Sequence, residues 1–370
     1  MGIINSTEKK PVKIEVIQAL RGIAAFIIMV YHLKPILIPN DPFKKEIDFL
    51  FNSGPAGVDL FFIISGFIMV LITRKLPGTF PSTLEFFIKR IIRIWPLYIF
   101  ATIYYLIITY RFSLDQIPVL KAIDSLLFIP LENTDPPYWG YPSLSVGWSL
   151  NYEIYFYILT ALSLSFGKYR WYFFSFMIIT TLIVIPVLYG TLTLDPTQNQ
   201  LYKYPYLNLI TNPVIWNFVY GILIGLLYNS ELFSAHLSNL FSSVHLLFII
   251  VMLAIWQYLS GFFAGHGPDE WGFSMAVLFT ALLFYSRNKA KAYPYWLVYL
   301  GEISFSIYLW HLPVYETIKY CFGKLAYPAY SSGITALLLS VSATLFVSHL
   351  SYKYLEQKSH LYLLKAMNIK

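Results

Sequence analysis

The chain has 370 residues, of which 57% are apolar and only 12% charged, with a mean hydropathy of +0.60. That composition excludes a soluble core and describes a polytopic membrane protein. The net charge of +7 finds no basic soluble face to occupy, which excludes nucleic-acid binding, and the single cysteine, Cys321, excludes an internal disulfide.

Apolar segments fall near 17–38, 58–74, 94–111, 146–165, 171–190, 212–228, 244–260, 271–286, 297–318 and 332–352. They predict an all-α integral membrane protein with about ten transmembrane helices, read as one domain over 1–370. Residues 1–13 and 357–370 are its expected tails. The segment 114–131 carries Pro118, Lys121 and Asp124, and reads as an interfacial or partly re-entrant piece. With both termini cytoplasmic, 18 of the 26 Lys and Arg residues fall inside, among them Lys9, Lys10, Lys13, Lys89, Arg90, Arg93, Arg287, Lys289, Lys291 and Lys370. The first helix is too long for a secretory h-region and lacks a small-residue cleavage site, so it is expected to be retained.

The first helix holds Arg21 and His32 in an otherwise apolar run. Eleven residues at about 100° each return them to one face, roughly 16 Å apart along the axis. Ionisable groups in a bilayer are expensive unless they serve a pathway or a reaction site. The plainer alternatives are a snorkelling Arg21 and a His32 bonded to a neighbouring helix. In the second helix, Asp59 lies near the outer start of Gly57-Val58-Asp59-Leu60-Phe61-Phe62-Ile63-Ile64-Ser65-Gly66-Phe67. The third begins with Lys89-Arg90-Ile91-Ile92-Arg93-Ile94-Trp95-Pro96-Leu97-Tyr98, where Arg90 and Arg93 share a face as the helix leaves the cytoplasm. Their planar forks suit phosphate oxygens, and with Arg21 they form a candidate cytoplasmic anion site, or else ordinary topology anchors.

Glu153 is buried among aromatics in Gly147-Trp148-Ser149-Leu150-Asn151-Tyr152-Glu153. Counted from the expected helix ends, its depth nearly coincides with that of His32. A carboxylate beside an imidazole fixes the tautomer and stabilises the imidazolium, as a general base requires. Asp59 competes for that orienting role, and a tyrosine-bonded structural Glu153 is the plainer alternative. His311 lies in an aromatic setting and reads as packed rather than reactive, while His236, His245, His266, His349 and His360 are given no role. Spaced Cys/His ligand sets and glycine-rich phosphate loops are absent, so no metal is expected.

Together with Leu300-Gly301-Glu302-Ile303-Ser304-Phe305-Ser306-Ile307-Tyr308-Leu309-Trp310-His311, these motifs in this order resemble the membrane acyltransferase 3 family, particularly its bacterial exopolysaccharide and O-antigen acetyltransferases. The resemblance covers nearly the whole chain. It implies that acyl-CoA is used at the cytoplasmic side, that His32 is essential, and that Arg21, Arg90 and Arg93 have functional roles. Many members carry an extra extracytoplasmic hydrolase-like domain. Since this chain ends soon after its tenth helix, acceptor recognition is expected to fall to membrane loops or a partner.

The expected protein is thus an inner-membrane O-acyltransferase. It would move an acetyl or other short acyl group from acetyl-CoA to a hydroxyl of a polysaccharide or lipid-linked sugar. His32 is the general base with Glu153 or Asp59 beside it, and an acyl-histidine relay is the variant route. A polysaccharide or lipid-sugar transporter is the alternative of another class.

Overall fold

The computed structural model describes residues 14–130, 136–138, 142–198, 202–288, 293–325, 328–367 and 369. Its regular structure among those residues is entirely helical. In chain order the helices are α1 (Glu15–Leu33), α2 (Lys44–Phe51), α3 (Ala56–Thr73), α4 (Phe80–Thr109), α5 (Val119–Leu126), α6 (Trp148–Leu164), α7 (Arg170–Ile179), α8 (Ile185–Tyr189) and α9 (Pro205–Ile210). There follow α10 (Trp216–Asn229), α11 (Glu231–Leu240), α12 (Val244–Ser260), α13 (Trp271–Asn288), α14 (Tyr295–Glu302), α15 (Ser304–Lys324), α16 (Gly333–Ser351) and α17 (Gln357–Ala366). All ten apolar segments read from the sequence are helical. Among the described residues five helices are long and apolar enough to cross a membrane, or up to seven if each of two bent pairs is one span.

Several boundaries differ from expectation for identifiable reasons. Helix α4 starts at Phe80, so Arg90 and Arg93 sit well inside a 30-residue helix rather than at its end. The segment near 297–318 is broken at Ile303, where α14 and α15 meet with a 69° bend. Helix α10 turns by 100° into α11. Between α7 and α8 the helix widens to a π turn over Thr180–Val184 just before Pro186, whose ring lacks an N–H and crowds the carbonyl four residues back. Helix α5 exposes Val119, Leu120, Ile123 and Leu127 on one side, and Trp95 Nε1 holds its end by donating to the Leu126 carbonyl at 2.9 Å. It is a short helix within the segment 114–131 that the sequence reads as interfacial or partly re-entrant. The segment expected as a C-terminal tail is helical over Gln357–Ala366 and packs on α4. Lys9, Lys10, Lys13, Lys289, Lys291 and Lys370, counted among the inner charges, lie outside the described residues.

Two close crossings set the site's frame. Helix α3 lies along α10 through facing glycines: a Cβ on Gly66 would strike the Phe218 carbonyl, and one on Gly221 the Ile63 carbonyl. Backbones approach this closely only where both residues are small. Helix α1 meets α14 the same way, with Gly22 against Leu297 and Gly301 against Gln18. Paired residues rise together along α1 and α14–α15 (Gly22 with Gly301, His32 with His311), and along α3 and α13 (Asp59 with His266, Phe67 with Phe279). Those pairs are therefore parallel. Arg170 ties the end of α3 to the start of α7: Nη1 donates to the Thr73 carbonyl at 2.7 Å, Nη2 to Leu76 at 2.9 Å and Nε to Gly167 at 2.7 Å. It thereby caps the C-terminus of α3.

Candidate active site: an arginine partition and a histidine pair

Arg21 from α1 and Arg90 and Arg93 from α4 converge between two cavities. One, of about 760 Å³, continues past Ser65, Glu153 and Tyr157 to Phe61, Ser149 and Tyr308. The other, of about 800 Å³, is lined by the same three arginines with Gln18, Glu302, Glu356 and His360. The guanidiniums form the partition. The i and i+3 spacing of Arg90 and Arg93 puts both on one face of α4, as read from the sequence. Two nitrogens of Arg90, Nε and Nη1, are buried without a hydrogen-bond partner. Donors left unmade inside a protein are costly, so an acceptor arriving there gains more than it would in water.

Glu153 belongs to this arginine end. Its Oε1 accepts from Ser65 Oγ at 3.3 Å and from the hydroxyl of Tyr157, one turn further along α6. Gly57 packs against Ala24 and Ile28 of α1, and Ser65 lies eight residues beyond it, away from His32. Glu153 therefore sits roughly 20 Å below His32 along the bundle, and the expected coincidence of depth does not hold. The reason is that α6 starts inside the protein. Leu144 and Val146 are buried, and the Tyr308 hydroxyl donates to the Val146 carbonyl at 2.6 Å and pairs with Ser149 Oγ at 2.7 Å.

Asp59 is placed elsewhere again. Fully buried in the first turn of α3, it accepts from Asn217 Nδ2 at 2.6 Å and pairs with His266 Nδ1 at 2.7 Å. The rings of Trp148 and Trp271 stand edge-on to His266 at 5.6 and 5.5 Å. Asp59 thus has an imidazole partner, but it is His266 from the loop before α13 and not His32. No local pattern distinguishes His266 in the sequence, and only the fold reveals the pair.

His32 ends α1 with its Nδ1 3.0 Å from the Ile28 carbonyl. Neither candidate carboxylate hydrogen-bonds it; its close ring neighbours are Tyr31 at 5.2 Å and His311 of α15 at 5.1 Å. A carbonyl only accepts, so Nδ1 carries the proton and Nε2 keeps its lone pair, the form that can take a proton. The ring of Tyr308, on the wall of the arginine cavity that also holds Glu153, is 6.2 Å from that of His311. Tyr157, Ser65, Tyr308 and Glu356 were not singled out from the sequence. Tyr157 alone had a local signal, four residues after Glu153.

A family model described as "Acyltransferase domain" matches residues 14–353. The chain is similar to Exopolysaccharide production protein ExoZ of Rhizobium meliloti, 30% identical over 278 residues that cover 70% of this chain and 76% of the relative. It is also similar to Nodulation protein 10 of Rhizobium leguminosarum bv. viciae, 26% identical over 81% of this chain and 82% of the relative. O-acetyltransferase OatA of Staphylococcus aureus is 24% identical over 92% of this chain, a match spanning 56% of OatA. No solved structure matches the chain.

Proposed function

The chain belongs to the acyltransferase family whose domain model it matches, and from that premise we propose that it is a multi-pass O-acyltransferase of the bacterial inner membrane. It moves an acetyl or other short acyl group from acyl-CoA to a hydroxyl of a polysaccharide or lipid-linked sugar. The observation that carries this reading is the cavity that three arginines share with Tyr308, whose ring lies 6.2 Å from that of His311, itself 5.1 Å from that of His32. Ten spans with cytoplasmic termini put the arginine partition toward the CoA pool.

Arg21, Arg90 and Arg93 hold the phosphates, and the unpaired N–H groups of Arg90 are the donors that await them. Glu153, bonded to Tyr157 and Ser65 beside those arginines, orders their side chains. The extended pantetheine arm carries the thioester toward the histidines. There Nε2 of His32 takes the proton of the acceptor hydroxyl as its oxygen attacks the thioester carbonyl; the C–S bond breaks, and the thiolate recovers the proton. Asp59 acts at a distance, holding the loop before α13 through His266.

The test is CoA release by the purified protein given acetyl-CoA and a polysaccharide extract of the cells that make it. His32→Ala is expected to stay folded and bind CoA while transfer falls by roughly 10²-fold or more, the usual scale of general-base loss. Near wild-type transfer in that variant would refute the assignment.

A further inference from the structure

The carboxylate that a general base ordinarily leans on is missing from His32, and a second histidine occupies its surroundings. His311 has no solvent exposure. Its Nδ1 lies 3.2 Å from the Ile307 carbonyl, the same one-turn-back bond that His32 makes to Ile28. Both rings therefore carry their proton on Nδ1 and point an Nε2 lone pair elsewhere. For His311 that lone pair is buried without any partner. A buried acceptor left unmade destabilises the resting fold, so its retention needs a reason. The neighbouring ring supplies one: the two imidazoles are 5.1 Å apart, centre to centre, and tilted by only 35°.

We propose that His311 is the proton-sharing partner of His32, taking the place that an aspartate or glutamate fills beside other general-base histidines. This rests on the reading of His32 as the base. When the acceptor O–H bond breaks, the proton forms an Nε2–H bond on His32, and the new imidazolium finds the Nε2 lone pair of His311 beside it. A charge-assisted hydrogen bond between them, direct or through one intervening hydroxyl, spreads the positive charge without bringing a second ion into the apolar interior. The proton leaves with the CoA thiolate and the pair returns to two neutral rings. A neutral partner suits this depth better than a carboxylate, because the resting site then carries no buried charge. His311 is accordingly a positioning residue, acting through His32.

The experiment is a double-mutant cycle with acetyl-CoA and the polysaccharide extract, read as single-turnover transfer of radiolabelled acetyl. His311→Phe keeps a ring and removes the acceptor; His311→Gln keeps an acceptor oxygen near the Nε2 position. His311→Phe is expected to lower kcat roughly 10- to 100-fold with KM for acetyl-CoA unchanged, and His311→Gln to recover part of that loss. In a His32→Ala background His311→Phe should cost nothing further, since the two residues share one step. An equal loss from His311→Phe in both backgrounds, or a change confined to KM, overturns the proposal while leaving His32 as base. Full activity in His32→Ala itself instead removes the premise. If His311→Phe does not fold, the Gln variant in the two backgrounds gives the same comparison.

Discussion

Arg90 presents buried N–H groups with nothing to bond, and that local imbalance yields a quantitative expectation. A hydrogen bond to a charged group contributes about 1.5–3 kcal/mol, so Arg90→Ala should weaken acyl-CoA binding by roughly 10- to 100-fold with little loss of thermal stability. Arg90→Lys should recover only part of it, having a point charge and no fork. Normal CoA binding by Arg90→Ala and Arg93→Ala, measured calorimetrically, would return both to the rank of topology anchors. The two carboxylates separate in the same way. Glu153→Gln, at the arginine end, is expected to raise KM for acetyl-CoA. Asp59→Ala leaves Asn217 and His266 unpaired inside the protein and should cost about 3–5 kcal/mol of stability, seen as a large fall in the detergent melting temperature. A melting temperature for Asp59→Ala within a degree of wild type would refute the structural role. Residue types were thus legible where the pattern was local: Arg90 with Arg93, or an acid buried among rings. Partnerships were not. The Asp59–His266 and His32–His311 pairs join residues more than 200 positions apart, and no spacing rule reaches that far.

Long apolar runs were read correctly as helical, though not always as one unbroken helix, and positions were misplaced wherever depth was counted from an assumed membrane surface. The depth assigned to Glu153 failed because α6 begins beneath Tyr308, on a buried approach through Leu144 and Val146. Hydropathy reports that a segment is apolar and says nothing of where along the bundle it begins. The break at Ile303 was hidden likewise, since α14 and α15 are both apolar and no proline marks the joint. One element-level device is testable. Arg170 closes three carbonyls at the junction of α3 with α7, and Arg170→Met keeps much of the stem while freeing them. Three lost charge-assisted bonds on a part-exposed site should lower stability by about 2–4 kcal/mol, leaving KM for acetyl-CoA unaltered because Arg170 lines neither arginine cavity. A shift in KM with an unchanged melting temperature would mean that Arg170 belongs to the donor site instead.

At the scale of the whole molecule, parallel packing and charge asymmetry constrain the same quantity independently. Helices α3, α10 and α13 run in one direction, and α1 with α15 in parallel with each other. Hence the loop before α3, the start of α10 and the loop carrying His266 share one side, and the loops after α3 and α10 share the other. The packing fixes which loops go together; the lysines and arginines choose which set faces the cytoplasm. In a Cys321→Ser background, Thr79→Cys and Asn239→Cys should therefore react with a membrane-impermeant maleimide only after the cells are opened. Glu46→Cys and Gln198→Cys should react on intact cells. All four residues are exposed, so a missing signal on both sides would not be a matter of burial. Labelling of Thr79→Cys and Asn239→Cys from outside, with the other two protected, would invert the protein and place the arginines away from the CoA pool, which no acyl-CoA-dependent mechanism through Arg21, Arg90 and Arg93 survives. Labelling of Thr79→Cys and Asn239→Cys on opposite sides would contradict the parallel packing itself.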